Sequence, residues 1–265
     1  MKPHILCFDI DGTLRKSDSR EVTKDTCQAL RNARENGHYI FINTGRSFAE
    51  LDQEIKEIGF DGVICGCGTY IEYRGKNILK EEIAGELAQQ IIALIEECKL
   101  QAVLEGEDYF YLSKYATNEK MLKVKEYFGP EVNKRCRYWE EQKPKFQKMS
   151  VWIPDEGNFE EFQNRLEGRF DFIRRSAHFY EVVPKGYSKA TGIEYLMKHL
   201  NIQQECTMAI GDSANDLSML EFAKKSVAMG NSSKDVKDKV SFVTKSVEEE
   251  GVAHALLHYG FISDF

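Results

Sequence analysis

No stretch of this 265-residue sequence approaches the roughly 18 consecutive apolar residues that a membrane helix needs. A membrane partner is therefore not expected. The opening MKPHIL runs straight into an apolar strand pattern and leaves no room for a signal peptide. Positive charge is not in excess: 36 Lys and Arg stand against 43 Asp and Glu, for a formal net charge of -7. That balance argues against a nucleic-acid-binding surface, although it permits a local basic pocket. The seven cysteines, at 7, 27, 65, 67, 98, 136 and 206, are odd in number and include no CxxC pair. Cys65-Gly66-Cys67 alternates as strand residues do. With no secretion signal, this set suggests a reducing, cytoplasmic setting and structural thiols. His254 and His258 have the i, i+4 spacing of a zinc helix, but Ala255 stands where HExxH requires Glu, so a plain helix face is expected. Only five prolines occur, and no repeat or low-complexity segment is visible.

What is present alternates. HILCFDI, HYIFIN and GVICG read as short apolar strands. Helices over TKDTCQALRNAREN, with Thr23 as N-cap, and SFAELDQEIKEI separate them. Continuous apolar strands suit a parallel sheet covered by helices on both faces. TYIEY-RG-KNIL then reads as a hairpin turning at Gly75. From 83 to 185 strands and helices are mixed, as in an α+β unit. After Gly186 the alternation resumes through the strands CTMAIG, SVAMG and SFVT, and a helix over VEEEGVAHALLHYG closes the sequence. The expectation is an α/β, Rossmann-like parallel-sheet core over 1–82 and 186–265, interrupted by an inserted α+β domain over 83–185.

Polar groups gather where such a sheet binds ligands, beyond the carboxyl ends of its strands. Asp9 and Asp11 follow the first strand, Thr44, Gly45 and Arg46 the second, and GDSAND (211–216) the strand CTMAI. Lys189 opens the helix after the insert. Two carboxylates at the end of a greasy strand resist ionising together, so something must offset the cost. Asp9, Asp11, Asp212 and Asp216 read as a site for a hard cation, magnesium rather than zinc. Thr44, the Gly45 amide and Lys189 suit a phosphate. A carboxylate facing a phosphate dianion is repelled by roughly 4 kcal/mol per pair of unit charges at 4 Å and an effective dielectric of 20. A divalent cation with Lys189 offsets that and lets Asp9 serve as metal ligand and nucleophile, while Asp11 carries the proton.

FDIDGTL, NTGR, a Lys after the insert and GDSANDLSML, in that order, resemble the four motifs of the haloacid dehalogenase superfamily. SVAMGNSSKDVKDKVSFVTKSVEEEGVAHAL resembles its Cof-type branch, whose members carry a type IIB α+β cap where this chain has its insert. The resemblance implies a magnesium-dependent phosphatase of small phosphorylated metabolites, sugar phosphates or similar, working through an aspartyl-phosphate. It implies Asp9 as nucleophile and Asp11 as general acid, then base. It implies magnesium held by Asp9, the Asp11 carbonyl and Asp212, phosphate held by Thr44, Gly45, Lys189 and Asn215, and Asp216 orienting the metal site or Lys189. Two departures stand out: Cys67-Gly68 where Asn-Gly is usual, and Asn43 in place of a small apolar residue. Two other functions fit the same motifs, a phosphomutase acting on sugar phosphates and a non-catalytic binder of phosphorylated metabolites.

Overall fold

In the computed structural model, which describes residues 2–265 without the side chains of 120 and 124–128, the chain divides into two compact units. The first holds the chain up to Gly45, Gln53–Ile78 and Ser188–Phe265. The second holds Arg46–Asp52 and Leu79–Tyr187. Among the described residues no helix is long and apolar enough to cross a membrane.

The first unit begins with β1 (Ile5–Phe8), α1 (Lys24–Glu35), β2 (Tyr39–Asn43), α2 (Gln53–Glu57) and β3 (Gly62–Cys65). The hairpin of β4 (Tyr70–Tyr73) and β5 (Lys76–Lys80) follows. Its tight turn uses left-handed Arg74 and Gly75, the backbone twist that two-residue hairpins favour. Every side chain of β1 is buried, and each such apolar residue contributes roughly 1.5–3 kcal/mol of burial. Helix α1 starts where Thr23 accepts a hydrogen bond from the Thr26 N–H, and it ends before left-handed Gly37.

The second unit comprises α3 (Gly85–Glu97), β6 (Gln101–Glu105), β7 (Phe110–Leu112), α4 (Glu119–Asn133), β8 (Cys136–Tyr138), β9 (Lys148–Trp152), α5 (Phe159–Leu166), β10 (Phe170–Ser176) and β11 (Phe179–Pro184). Its strands lie in the order β10-β11-β9-β6-β7-β8, antiparallel except for β7 with β8. The two-residue period of a strand sends Ala102, Leu104, Met149, Val151 and Val182 into one core with Ile91, Ile95 and Phe162 of the helices. The alternate positions Glu105, Lys148, Ser150 and Glu181 share the opposite face, where Lys148 lies 3.1 Å from Glu105 and 3.3 Å from Glu181.

The chain then returns to the first unit through α6 (Lys189–Leu200), β12 (Thr207–Gly211), α7 (Leu217–Phe222), β13 (Lys225–Ala228), α8 (Lys234–Lys237), β14 (Phe242–Val243) and α9 (Gly251–His258). The eight-stranded sheet has the order β14-β13-β12-β1-β2-β3-β4-β5. It is parallel from β14 to β3 and turns antiparallel at β4. From β1 the chain builds outward through β2 on one side and, on its return, from β12 on the other. The carboxyl end of β1 is therefore the switch point where doubly wound sheets bind ligands.

Two local expectations need correction. The continuous helix expected over SFAELDQEIKEI is broken: Phe48–Glu50 form a short 3₁₀ turn, Leu51 is extended, and α2 starts only at Gln53. The cause is tertiary, because the Ala49 N–H donates to the Gly106 carbonyl and Arg135 Nη1 to the Ala49 carbonyl. The closing helix is also shorter than expected, since left-handed Glu250 separates a 3₁₀ turn at Val247–Glu249 from α9.

Candidate active site

Asp9 follows the last residue of β1, and its N–H continues the parallel ladder by donating to the Ile210 carbonyl of β12 at 3.0 Å. This fixes its backbone before any side-chain contact is made. Lys189 is the first residue of α6, whose start is fixed by a reciprocal cap: the Thr191 N–H donates to Ser188 Oγ and the Ser188 N–H to Thr191 Oγ1. The Lys189 side chain is buried and its Nζ donates to Asp9 Oδ1 and to Asp216 Oδ1, both at 2.6 Å. Asp216 is buried too, and its Oδ2 accepts from the N–H groups of Asp212 and Ser213 at 3.0 Å each. Asp216 thus holds the ammonium with one oxygen and the backbone of the Asp212 loop with the other.

Carboxylate oxygens of Asp9, Asp212 and Asp216 come within 4.8 Å of one another. Asp212 Oδ1 is buried and has no hydrogen-bond partner. An orphaned carboxylate oxygen is costly unless a cation meets it. Gly12, at φ +83°, lies so close to Asp212 that a Cβ there would fall 2.3 Å from Oδ2. Only glycine brings the Asp11 backbone this near to that carboxylate. Burial first, and then the charge of Asp216, push Asp9 up to about 8 and Asp212 up to about 7. Burial opposes the charge on Lys189, but Asp216 and Asp9 outweigh it and raise its pKa. The Asp11 carboxylate lies 3.7 Å from Arg15. With all four ionised, the carboxylates exceed Lys189 and Arg15 by two negative charges, which a divalent hard cation matches.

Thr44 is buried beyond the end of β2, its N–H donating to the Ile64 carbonyl and its carbonyl accepting from the Cys67 N–H. Gly45 follows and is buried. Asn215 lies half-buried in the turn after β12 and accepts a short hydrogen bond from Ser213 Oγ. Asp9, Lys189, Asp212 and Asp216 thus meet directly. Asp11 follows two residues after Asp9, and Thr44, Gly45 and Asn215 sit in the loops after the neighbouring strands β2 and β12. Arg46 groups with the second unit, 3.6 Å from Asp52.

Two residues go beyond the sequence reading. Asn43, noted only as unusual, is buried and donates from Nδ2 to the Lys189 carbonyl at 2.9 Å, tying β2 to the start of α6. Thr13, inside DGT, keeps a buried hydroxyl with no partner. The unusual Cys67 is left-handed at φ +56° between left-handed Gly66 and Gly68. A Cβ on Gly68 would fall 2.2 Å from the Ser188 carbonyl, so this loop packs directly on the cap of α6.

Residues 6–256 match the family model described as haloacid dehalogenase-like hydrolase. YkrA of Bacillus subtilis (strain 168) is 30% identical over 262 residues, covering 99% of this chain and 100% of its own. Among solved structures, the phosphatase BT1666 from Bacteroides thetaiotaomicron superposes with TM-score 0.82 at 27% identity, covering 98% of this chain and 96% of its own. The subclass IIB sugar phosphatase BT4131 gives TM-score 0.78 at 29% identity, covering 98% and 100%. With this sheet order, these acids around a buried lysine and likeness over nearly its whole length, the chain belongs to the Cof-type branch of the haloacid dehalogenase-like hydrolases and is a phosphoric monoester hydrolase.

Proposed function

We propose that the chain hydrolyses small phosphorylated metabolites, sugar phosphates or similar, with magnesium, through an aspartyl-phosphate on Asp9. The observation that carries the reading is the pairing of a Lys189-bridged Asp9 with an Asp212 oxygen that is buried and unpartnered. One acid is oriented for attack and the other is left for a cation. Likeness to a sugar phosphatase favours the sugar-phosphate class. The insert corresponds to the type IIB cap of this family, the part that sets substrate choice.

Asp9 attacks phosphorus in line with the ester oxygen, which leaves with a proton from Asp11. Asp11 then takes a proton from water as the water attacks phosphorus. The Asp9–phosphorus link breaks, releasing inorganic phosphate and restoring Asp9. Lys189, Thr44, the Gly45 amide and Asn215 hold the phosphoryl oxygens, and Lys189 also lowers the repulsion between Asp9 and the incoming dianion. Asp9, the Asp11 carbonyl and Asp212 would hold magnesium, which would supply positive charge against the transferring group. Asp216 keeps Lys189 and the Asp212 loop in place. Seven free cysteines support a reducing, cytoplasmic setting.

Phosphate release from a panel of phosphorylated metabolites, with magnesium, with chelator and with Asp9→Asn, tests the reading. The expected result is magnesium-dependent release that falls by about 10³-fold or more in Asp9→Asn. Release that survives in Asp9→Asn would overturn it. Interconversion of sugar phosphates under a bisphosphate activator, without net phosphate, would make the chain a mutase. Tight binding without turnover would make it a sensor.

A further inference from the structure

The loop from Asp11 to Arg15 carries the proposed proton donor, and the N–H groups of Thr13, Leu14 and Arg15 fold it back onto the Ile10 carbonyl. The Gly12 N–H donates to the Arg15 carbonyl at 2.7 Å. The Gly12 carbonyl accepts from Asn231 Nδ2 at 2.9 Å. Asn231 lies beyond β13, in the stretch Gly230-Asn231-Ser232, and its Oδ1 accepts from the Val247 N–H at 3.0 Å. One side-chain amide therefore spans two segments separated by more than 200 residues of sequence, although Asn231 itself is exposed.

Gly12 sits at φ +83° against Asp212. A glycine in that region has little intrinsic preference to hold it there, so the orientation of its following peptide depends on what grips the carbonyl. The steric contact with Asp212 limits movement toward that carboxylate, and two bonds limit rotation of the Gly12–Thr13 peptide, from the Thr13 N–H to the Ile10 carbonyl at 3.3 Å and from Asn231 to the Gly12 carbonyl, the second being the shorter. Asp9 is anchored elsewhere, its N–H on Ile210 and its carboxylate on Lys189. A loosened loop displaces Asp11 while leaving the nucleophile in place.

We infer that Asn231 is a positioning residue for Asp11, holding the loop so that the carboxyl reaches the leaving oxygen; this rests on the proposed role of Asp11 as general acid. The rival is a merely structural role, in which Asn231 only fastens the turn at Val247. The two are separable because one end of the amide donates and the other accepts. Asn231→Asp keeps the acceptor for Val247 but turns an oxygen toward the Gly12 carbonyl. Asn231→Ala removes both bonds.

The test compares kcat/KM for an alkyl phosphomonoester turned over in the panel, such as glucose 6-phosphate, with that for p-nitrophenyl phosphate. An alkoxide needs a proton to leave, whereas p-nitrophenolate does not. General acid catalysis is worth about 10²–10⁴-fold. Both variants are expected to lose about 10–100-fold on the alkyl substrate and at least about 5-fold less than that on the aryl one, whose smaller loss reports the displaced Asp11 carbonyl, with Asp at least as impaired as Ala. Equal losses on the two substrates, or an Asn231→Asp enzyme with the parent's rates, would overturn the inference. Asp11→Asn in the same assay separates the causes. If it discriminates between leaving groups and the Asn231 variants do not, the positioning role alone fails. If Asp11→Asn does not discriminate, the acid role fails and takes the inference with it. Thermal unfolding of both variants checks that the fold is retained.

Discussion

Lys189 is a buried ammonium that pays for its own burial by neutralising two carboxylates at 2.6 Å. Removing one partner from a buried charged cluster costs about 3–5 kcal/mol, because the remaining charges lose their counter-ion. Lys189→Met is therefore expected to abolish turnover and to lower stability by about that amount near pH 8, read from urea unfolding. Adding Asp216→Asn to Lys189→Met should recover part of the loss by removing one of the stranded charges. An unfolding midpoint equal to the parent's would show that Lys189 is not the counter-ion of this cluster. At this scale the sequence was most informative. The residue types of Asp9, Lys189, Asp212 and Asp216 are costly anywhere in a core, so their placement at strand and helix ends already pointed to chemistry. Asn231 and Asn43 were not legible, because an asparagine in a loop or at the end of a strand is ordinary in sequence and the partners of both lie far away along the chain.

Among the elements, β1, β2, β3, the Gly75 hairpin and the Thr23-capped helix were legible because each is specified by its own residues. The stretch after Gly45 was not. Its apolar spacing fits a helix, yet Glu50 bends back to accept from the Ser47 N–H and hydroxyl, and the turn ends there. β8 was missed as well, since three half-buried residues carry no usable period. Glu50 also meets Glu105 of β6, a buried acid that accepts from Ser150 Oγ at 2.5 Å and lies beside Lys148. Burial first, and then the neighbouring Glu50, hold Glu105 well above the ordinary carboxylate range. A raised acid stabilises the fold fully below its unfolded pKa, and that contribution is lost as pH rises through its folded value. Glu105→Gln stays neutral throughout. Its melting temperature relative to the parent should therefore improve steadily as pH rises above the ordinary glutamate range. A difference that does not change with pH would show that Glu105 is ionised in the fold, with Lys148, Glu181 and Arg175 carrying the balance of charge around it.

For the molecule as a whole, the proposed magnesium site would link stability and metal through the same acids. In chelator, Asp212 at about 7 and Asp9 at about 8 both lie above the ordinary aspartate value. Their contribution is present at low pH and disappears as pH rises through those values. Magnesium needs the ionised forms, so the gain in melting temperature on adding it should grow from about pH 6 to pH 8.5 and shrink in Asp212→Asn. A gain that is the same at every pH would mean that the ion binds elsewhere. The order of strands has a consequence in time as well as in space. β1 is made first, yet one of its two neighbours is β12, and the lysine that faces Asp9 comes 180 residues later. During synthesis the most apolar strand of the sheet waits with one edge unpaired and its acid uncompensated until the entire insert has been translated. Chains halted before Lys189 therefore expose the kind of bare edge that invites aggregation, and in a nascent chain the candidate site stays incomplete until β12 and Lys189 join β1.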